Sequence, residues 1–247
     1  MRELMAELLR QRTTRTVLGL FAAMIGLIVL AEALHGFGLP VDALTTPSRQ
    51  LMVLGLGGML GSLFSALLGA LSVTTEIRHG TMRPTFLMTP RRHRVVAAKV
   101  VVSGLLGGAF ALIGSVVATA AGTAVLEARG IGVALDGGDH TLLIVGATGA
   151  GALWAVIGVG VGAIIRNQVS ALVGICAWLL FVEGLLADAT GGLGRIGRYL
   201  PGAAGAAMSG QEPSQLLDPV VALLVLVTYA AVVAISGAAA TARRDVG

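Results

Sequence analysis

The sequence has little charge, one cysteine and one lysine. Charged residues make up 12% of the 247 residues, hydrophobic residues make up 55%, and the mean hydropathy is +0.89. This composition lies outside the usual range of soluble globular domains. The single cysteine, Cys176, excludes an internal disulfide.

The motifs of nucleotide and metal chemistry are also missing. A P-loop needs a lysine that follows a glycine-rich turn, whereas Lys99 follows two alanines. The sequence contains neither G-x-S-x-G nor H-E-x-x-H, and its histidines are scattered along the chain. We therefore predict a chain that is not an enzyme and has no catalytic residue, metal site or cofactor of its own.

Long apolar stretches are what the sequence does contain. A helix needs about 20 apolar residues to cross a bilayer, and backbone polar groups in hydrocarbon must be paired within the segment, which favours helices here. Six stretches qualify, at residues 17–34, 51–73, 95–125, 142–165, 169–187 and 219–241. We predict an all-α membrane protein with six transmembrane helices in a single transmembrane domain, residues 1–247.

Basic residues predict the orientation of these helices. Thirteen of the 17 Lys and Arg residues fall on one side if the N-terminus is inside, so both termini are predicted to be cytoplasmic. The first apolar stretch could instead be a signal peptide cleaved after Ala31-Glu32-Ala33, but the acidic Glu3 and Glu7 in its leader favour a retained helix. Ahead of it, residues 1–16 carry an apolar stripe (Leu4, Met5, Leu8 and Leu9) that predicts an interfacial helix; the alternative is a frayed basic tail.

Two acidic residues, Glu32 and Glu183, lie within apolar stretches towards the predicted outer side. Carboxylates in a membrane are costly, so they are candidates for a substrate path or for selection of cationic cargo. The alternative is that both side chains reach towards the interface.

The most polar run of the chain lies between the second and third stretches, at residues 74–94. Thr75 is a candidate cap for a helix that starts at Glu76, Gly80 can interrupt it, and Thr81 can cap a short helix. Apolar side chains then follow at Phe86, Leu87 and Met88, and Pro90, Arg91 and Arg92 open the third span. Either this is an ordinary positive-inside loop, or it is an element that docks on a partner.

The spacing of residues in this run resembles the E-x-x-x-G-T … P-x-x-R … K motif of ABC-2 type permeases, carried here by Glu76, Gly80-Thr81, Pro90, the arginines after it and Lys99. The six-span layout is similar as well, so the resemblance covers most of the chain. It implies a multi-pass subunit of a bacterial cytoplasmic (inner) membrane exporter, which pairs with a second permease copy or a homologous permease. The loop would be the coupling helix, seated on a separate P-loop ATPase that binds ATP and Mg. The residues to which this coupling role transfers are Glu76, Arg78, Gly80, Thr81, Phe86, Leu87, Met88, Pro90, Arg91 and Arg92.

The same resemblance implies that residues 188–218 form re-entrant outer helices; the alternative is a surface helix with turns at Pro201 and Pro213. The expected function is export of a hydrophobic or amphipathic substrate such as a drug or lipid, with membrane lipids but no nucleic acid as partners. Two other classes stay open: an ion-gradient-driven secondary transporter or channel that titrates Glu32 or Glu183, and a membrane assembly factor that transports nothing.

Overall fold

A computed structural model describes residues 5, 7–9, 11, 15–80, 92–187, 196–211 and 215–243. All the regular structure in these ranges is helical, and no strand occurs among them. The prediction of an all-α chain is confirmed.

The helices follow one another with short connections. A 3₁₀ turn, Asp42–Thr45, precedes the second helix, and a π-helical turn, Trp178–Val182, lies between the sixth and seventh. The α-helices of the described ranges are α1 (Arg15–Gly38), α2 (Pro47–Leu54), α3 (Leu56–Arg78), α4 (Arg92–Ala128), α5 (Gly137–Ile165), α6 (Gln168–Ala177), α7 (Glu183–Ala187), α8 (Pro201–Met208) and α9 (Pro219–Arg243).

Six helical stretches are long and apolar enough to cross a membrane, as predicted. The second combines α2 with α3, and the fifth combines α6, the π-helical turn and most of α7. The chain is therefore a multi-pass membrane protein. The stretches are Arg15–Gly38, Pro47–Arg78, Val95–Ala128, Gly137–Ile165, Gln168–Leu186 and Pro219–Ala242.

The second stretch ends later than its apolar run predicts. Helix α3 continues through Glu76 to Arg78, and the backbone N–H of His79 donates to the carbonyl of Thr75. The interpretation of Thr75 as a cap that starts a new helix at Glu76 is therefore wrong. The helix can include this charged residue because the Glu76 side chain is buried and paired, and the chain turns at Gly80, which has a φ of +67°.

Helix α3 lies at the centre of the molecule, between α4 and α5. In the second spanning stretch, 72% of an 18-residue apolar segment is buried inside the protein, whereas the corresponding fraction in the first stretch is 17%. Glycines permit the close approach of α3 to α5: a Cβ on Gly69 would lie 2.0 Å from the Ala155 carbonyl oxygen, and one on Gly158 would lie 2.0 Å from that of Ala66. Such contacts place backbone against backbone, where dispersion attraction holds membrane helices together.

The peripheral helices expose apolar side chains. Leu18 and Leu34 on α1 and Ile235 on α9 are each more than 60% exposed. Because these residues lie on helices that can span a bilayer, their exposed faces are surfaces suited to lipid.

The segment predicted as re-entrant, 188–218, contains helix α8 in its described part. Pro201, Ala204, Ala207 and Met208 on this helix are buried, and α8 packs against α9 and α5. The turn predicted at Pro201 is the start of α8, whereas Pro213 lies outside the described residues. The apolar residues of α8 are thus part of the bundle and do not form a free surface helix.

Candidate functional site

Lys99, near the start of α4, is buried at the end of the bundle where α3 finishes. The Lys99 Nζ lies 2.9 Å from Glu76 Oε1 on α3 and 3.4 Å from Glu7 Oε1, and it donates to the Ser72 carbonyl at 2.9 Å. The Lys99 side chain is only 1% exposed. One cation thus connects three separate parts of the chain.

The N-terminal segment contributes two residues to this site. Gln11 Nε2 donates to Glu7 Oε1 at 2.8 Å and to Ser103 Oγ on α4 at 3.2 Å, and both Glu7 and Gln11 are buried. Met5 and Leu9 are exposed on the same segment. The segment therefore turns polar side chains towards the bundle and apolar ones outwards. We call Glu7, Gln11, Glu76, Lys99 and Ser103 the Lys99 network, and this end of the bundle the network end.

Pairing is what makes the buried charges of the network tolerable. An isolated ion in a low-dielectric interior is costly, and ion pairs with good geometry offset that cost. The C-terminal end of α3 also carries a partial negative charge from its helix dipole, which favours an ammonium beside Ser72 and Glu76. Loss of one partner would leave the others buried without compensation.

A cavity of about 220 Å³ adjoins the network between α1 and α3. Its walls are mainly apolar, with polar groups from the network and the end of α3. The lining residues are Gln11, Thr16, Val17, Leu20, Leu68, Leu71, Ser72, Thr75, Glu76 and His79.

The network end also holds the turn between the fourth and fifth spans. Arg166 adopts a left-handed conformation with a φ of 59°, and Asn167 Oδ1 accepts a hydrogen bond from the Ser170 backbone N–H at 3.0 Å. Exposed Arg78 donates to Gln168 Oε1 at 3.4 Å. The end of α3 and the start of α6 therefore lie beside each other.

The predicted coupling residues divide into two groups. Glu76 is buried in the Lys99 network, and Arg78 and Gly80 are exposed where the chain leaves α3. Arg92 begins α4, and its side chain lies outside the described part. The others, Thr81, Phe86, Leu87, Met88, Pro90 and Arg91, lie outside the described residues.

Glu183 lies at the opposite end of the bundle. Its Oε1 accepts hydrogen bonds from the backbone N–H groups of Gly202 at 2.5 Å and Ala203 at 2.9 Å, which are in the first turn of α8. The carboxyl group therefore caps α8 from the end of the fifth span, just after the π-helical turn. Single π turns inside helices often occur at functional sites.

A cavity of about 290 Å³ opens beside Glu183. Gly58 at the start of α3 is in its wall, and Gly58 and Glu76 are about 27 Å apart along α3 at about 1.5 Å per residue. We call this space the Glu183 cavity and this end of the bundle the cavity end. The lining residues are Gly58, Met59, Ser62, Ala150, Trp154, Leu179, Glu183, Gly184, Gly202, Ala203, Gly205, Ala206, Ser209, Gln211 and Leu216.

Glu32 is also at the cavity end, but it does not line that cavity. It is fully buried in α1, and a Cβ on Gly122 of α4 would lie 2.8 Å from its Oε2. Neither Glu32 oxygen has a hydrogen-bond partner among the described residues. The structure thus separates two carboxyl groups that the sequence treats alike.

Side-chain bonds to the backbone hold the connections at the cavity end. Buried Gln50 donates from Nε2 to the carbonyls of Leu44 at 3.0 Å and Gly132 at 2.9 Å. Arg129 Nη1 donates to the carbonyls of Gly36, in the last turn of α1, and Leu39, just beyond it. These bonds satisfy backbone groups that the helix ends leave without partners.

Sequence reasoning missed Glu7, Gln11 and Ser103 as members of the site. A signal was present in the only lysine, because a lone cation inside an apolar stretch needs an acidic partner. Glu7 is one of two acids, with Glu3, in a leader otherwise rich in arginine, and this argument could have paired one of them with Lys99.

No protein-family model matches the chain, and no curated protein matches it. Within the described residues, no group of three or more His, Cys, Asp or Glu side chains could hold a metal ion.

Proposed function

We propose that this chain is the permease subunit of an ABC-2 type exporter, which moves a hydrophobic or amphipathic substrate across the membrane with energy from a separate ATPase. The observation that carries the proposal is the buried ion pair between Glu76 and Lys99. Both residues belong to the permease-like motif, and they flank the loop to which that motif assigns docking. A docking loop transmits force only if its two ends are fixed to the bundle.

In this mechanism the ATPase pushes on the loop between α3 and α4. The Lys99 network joins the end of α3, the start of α4 and the N-terminal segment, so these parts would move as one body. Close backbone packing between α3 and α5 would carry that motion along the bundle to the cavity end. Cargo would then leave through an outer opening near α8.

The finer assignments belong to the same proposal. Residues 1–16 would lie at the cytoplasmic interface, with Met5 and Leu9 towards lipid, and residues 188–218 would enter the membrane from outside. Both termini would be cytoplasmic in a bacterial inner membrane. A second permease would complete the pathway, and ATP and Mg would bind only to the ATPase.

Co-purification with candidate ABC ATPases from the same organism tests the proposal. Native chain is expected to retain an ATPase, whereas Phe86→Asp is expected to lose it, because a carboxylate would have to be desolvated in an apolar docking groove. Val133→Asp is the matched control, since it adds the same charge at an exposed position of the cavity end. Equal retention by Phe86→Asp and native chain, or loss in Val133→Asp as well, would contradict the proposal.

One observation favours a second candidate, a transporter or channel driven by an ion gradient. Glu32 and Glu183 each have at least one oxygen without a hydrogen-bond partner among the described residues. A carboxyl group that binds a proton or a cation during transport needs such an available oxygen. Transport by purified chain in liposomes, driven by a pH or sodium gradient without any ATPase and abolished by Glu32→Gln, would favour this candidate.

A further inference from the structure

We propose that the Glu183 cavity is a binding site for an organic cation, namely a protonated amine attached to an apolar group. The inference rests on the proposed export function only for the role of such a ligand as cargo. Binding itself would require neither an ATPase nor a second permease.

The first argument is the arrangement of the Glu183 carboxyl group. The residue is 6% exposed, and the α8 backbone donates only to Oε1. The indole N–H of Trp178 also interacts with the carboxyl group, but Oε2 accepts no hydrogen bond of standard geometry from the described residues. Two N–H donors and the N-terminus of a helix favour a charged carboxylate at Oε1. The second oxygen then remains an acceptor with negative charge at the wall of a cavity.

The second argument is the chemistry of the remaining walls. Ser62 and Ser209 provide hydroxyl groups that can accept from an ammonium, and Trp154 provides an aromatic ring. Met59, Leu179 and Leu216 give apolar surface. Among the described residues no Lys, Arg or His lines the cavity, so no described cation competes for Oε2 of Glu183.

The size of the cavity limits the ligand. A volume of about 290 Å³ is just below the range for small-molecule sites, which begins at about 300 Å³. The cavity therefore fits an ammonium with one ring or a short branched chain, or the amine-bearing end of a larger amphipath.

Equilibrium binding of radiolabelled 2-phenylethylammonium tests the proposal. The purified full chain is placed in nanodiscs of zwitterionic lipid, which avoids attraction of the cation to anionic headgroups. We expect saturable binding, competition by unlabelled amine, and much weaker competition by 2-phenylethanol, which has the same ring and chain length but no charge.

Glu183→Gln is the decisive variant, because a glutamine carbonyl can still accept from Gly202 and Ala203 while the negative charge is lost. We expect affinity for the ammonium to fall about tenfold or more, as expected for the loss of a hydrogen bond between charged groups. Glu127→Gln is the matched control: it removes the same charge at an exposed position of the cavity end that does not line the cavity, and its affinity should equal that of the native chain. Ala206→Leu narrows the cavity and leaves Glu183 and its hydrogen bonds to α8 in place. It should also weaken binding of the ammonium, because less space remains for the ligand.

Absence of saturable binding, unchanged affinity in Glu183→Gln, equal binding of the alcohol, or the same loss in Glu127→Gln would each overturn the proposal. Its failure is distinguishable from failure of the exporter proposal. Loss of ammonium binding in a chain that still retains an ATPase would remove this inference alone, and binding without ATPase association would remove the exporter proposal alone.

Discussion

The two ends of the bundle treat buried charge in opposite ways. At the network end, Lys99 lies between Glu7 and Glu76, and each carboxylate contacts the ammonium. At the cavity end, no described cation contacts Glu32 or Glu183: Glu32 accepts no hydrogen bond from a described residue, and Glu183 is held at Oε1 by backbone N–H groups. Paired charge fixes helices to one another, whereas unsatisfied carboxyl groups leave capacity for a ligand or a proton. In the two proposals above, the network end connects helices mechanically and the cavity end recognises a ligand.

Substitution of Lys99 should have the largest effect on stability. Lys99→Met would leave Glu7 and Glu76 buried without a cation, and we expect a loss of about 3–5 kcal/mol in the free energy of unfolding. The measurement is the unfolding equilibrium in mixed detergent micelles.

The control is the triple variant Lys99→Met, Glu76→Gln and Glu7→Gln, which removes both charges that lost their partner. It should recover much of the lost stability, because an uncharged network has no unpaired ion. If the single and triple variants are equally unstable, the cost comes from packing and not from charge.

A glycine substitution between the two ends should have the next largest effect. A Cβ on Gly158 would meet the backbone of α3, so we expect Gly158→Ala to lower the free energy of unfolding by about 1–3 kcal/mol. It should also weaken any coupling from the network end to the cavity end. Gly26→Ala on α1 is the control, because a Cβ there meets nothing within 4 Å. The free energy of unfolding of this variant should be unchanged or slightly higher.

The smallest effect on stability is expected at Glu32, and it can be compared directly with the same substitution at Glu76. Glu32→Gln removes a buried acid that has no hydrogen-bond partner among the described residues, so stability should change by less than about 0.5 kcal/mol or should increase. The identical substitution Glu76→Gln removes a paired carboxylate and should destabilise the chain by about 1.5–3 kcal/mol. Similar losses in the two variants, measured by the same unfolding assay, would show that the ends do not differ in this way.

Much of the fold could be predicted from the sequence, because the bilayer requires long apolar helices and those appear directly in the chain. The ends of the spans were harder. Glu76 was predicted to start a new helix beyond the second span, whereas it lies within α3 and is paired with Lys99 on the next helix.

Long-range pairing explains what the sequence did not predict in the site. Glu7 and Lys99 are separated by 92 positions, and their contact depends on how α4 and the N-terminal segment pack. The cap that Glu183 gives to α8 likewise depends on the chain returning to the fifth span after residues 188–195. Sequence patterns place such residues on helices, but only packing decides which side chains meet.

The most direct test of the account is to determine which side of the membrane each end faces. In a Cys176→Ala background, single cysteines at exposed His79 and Ala134 mark the network end and the cavity end, and a membrane-impermeant thiol reagent is applied to intact cells. The account predicts that Ala134→Cys reacts in intact cells and that His79→Cys reacts only after the membrane is permeabilised. Labelling of His79→Cys from outside would contradict it, because no cytoplasmic ATPase could then reach the Lys99 network.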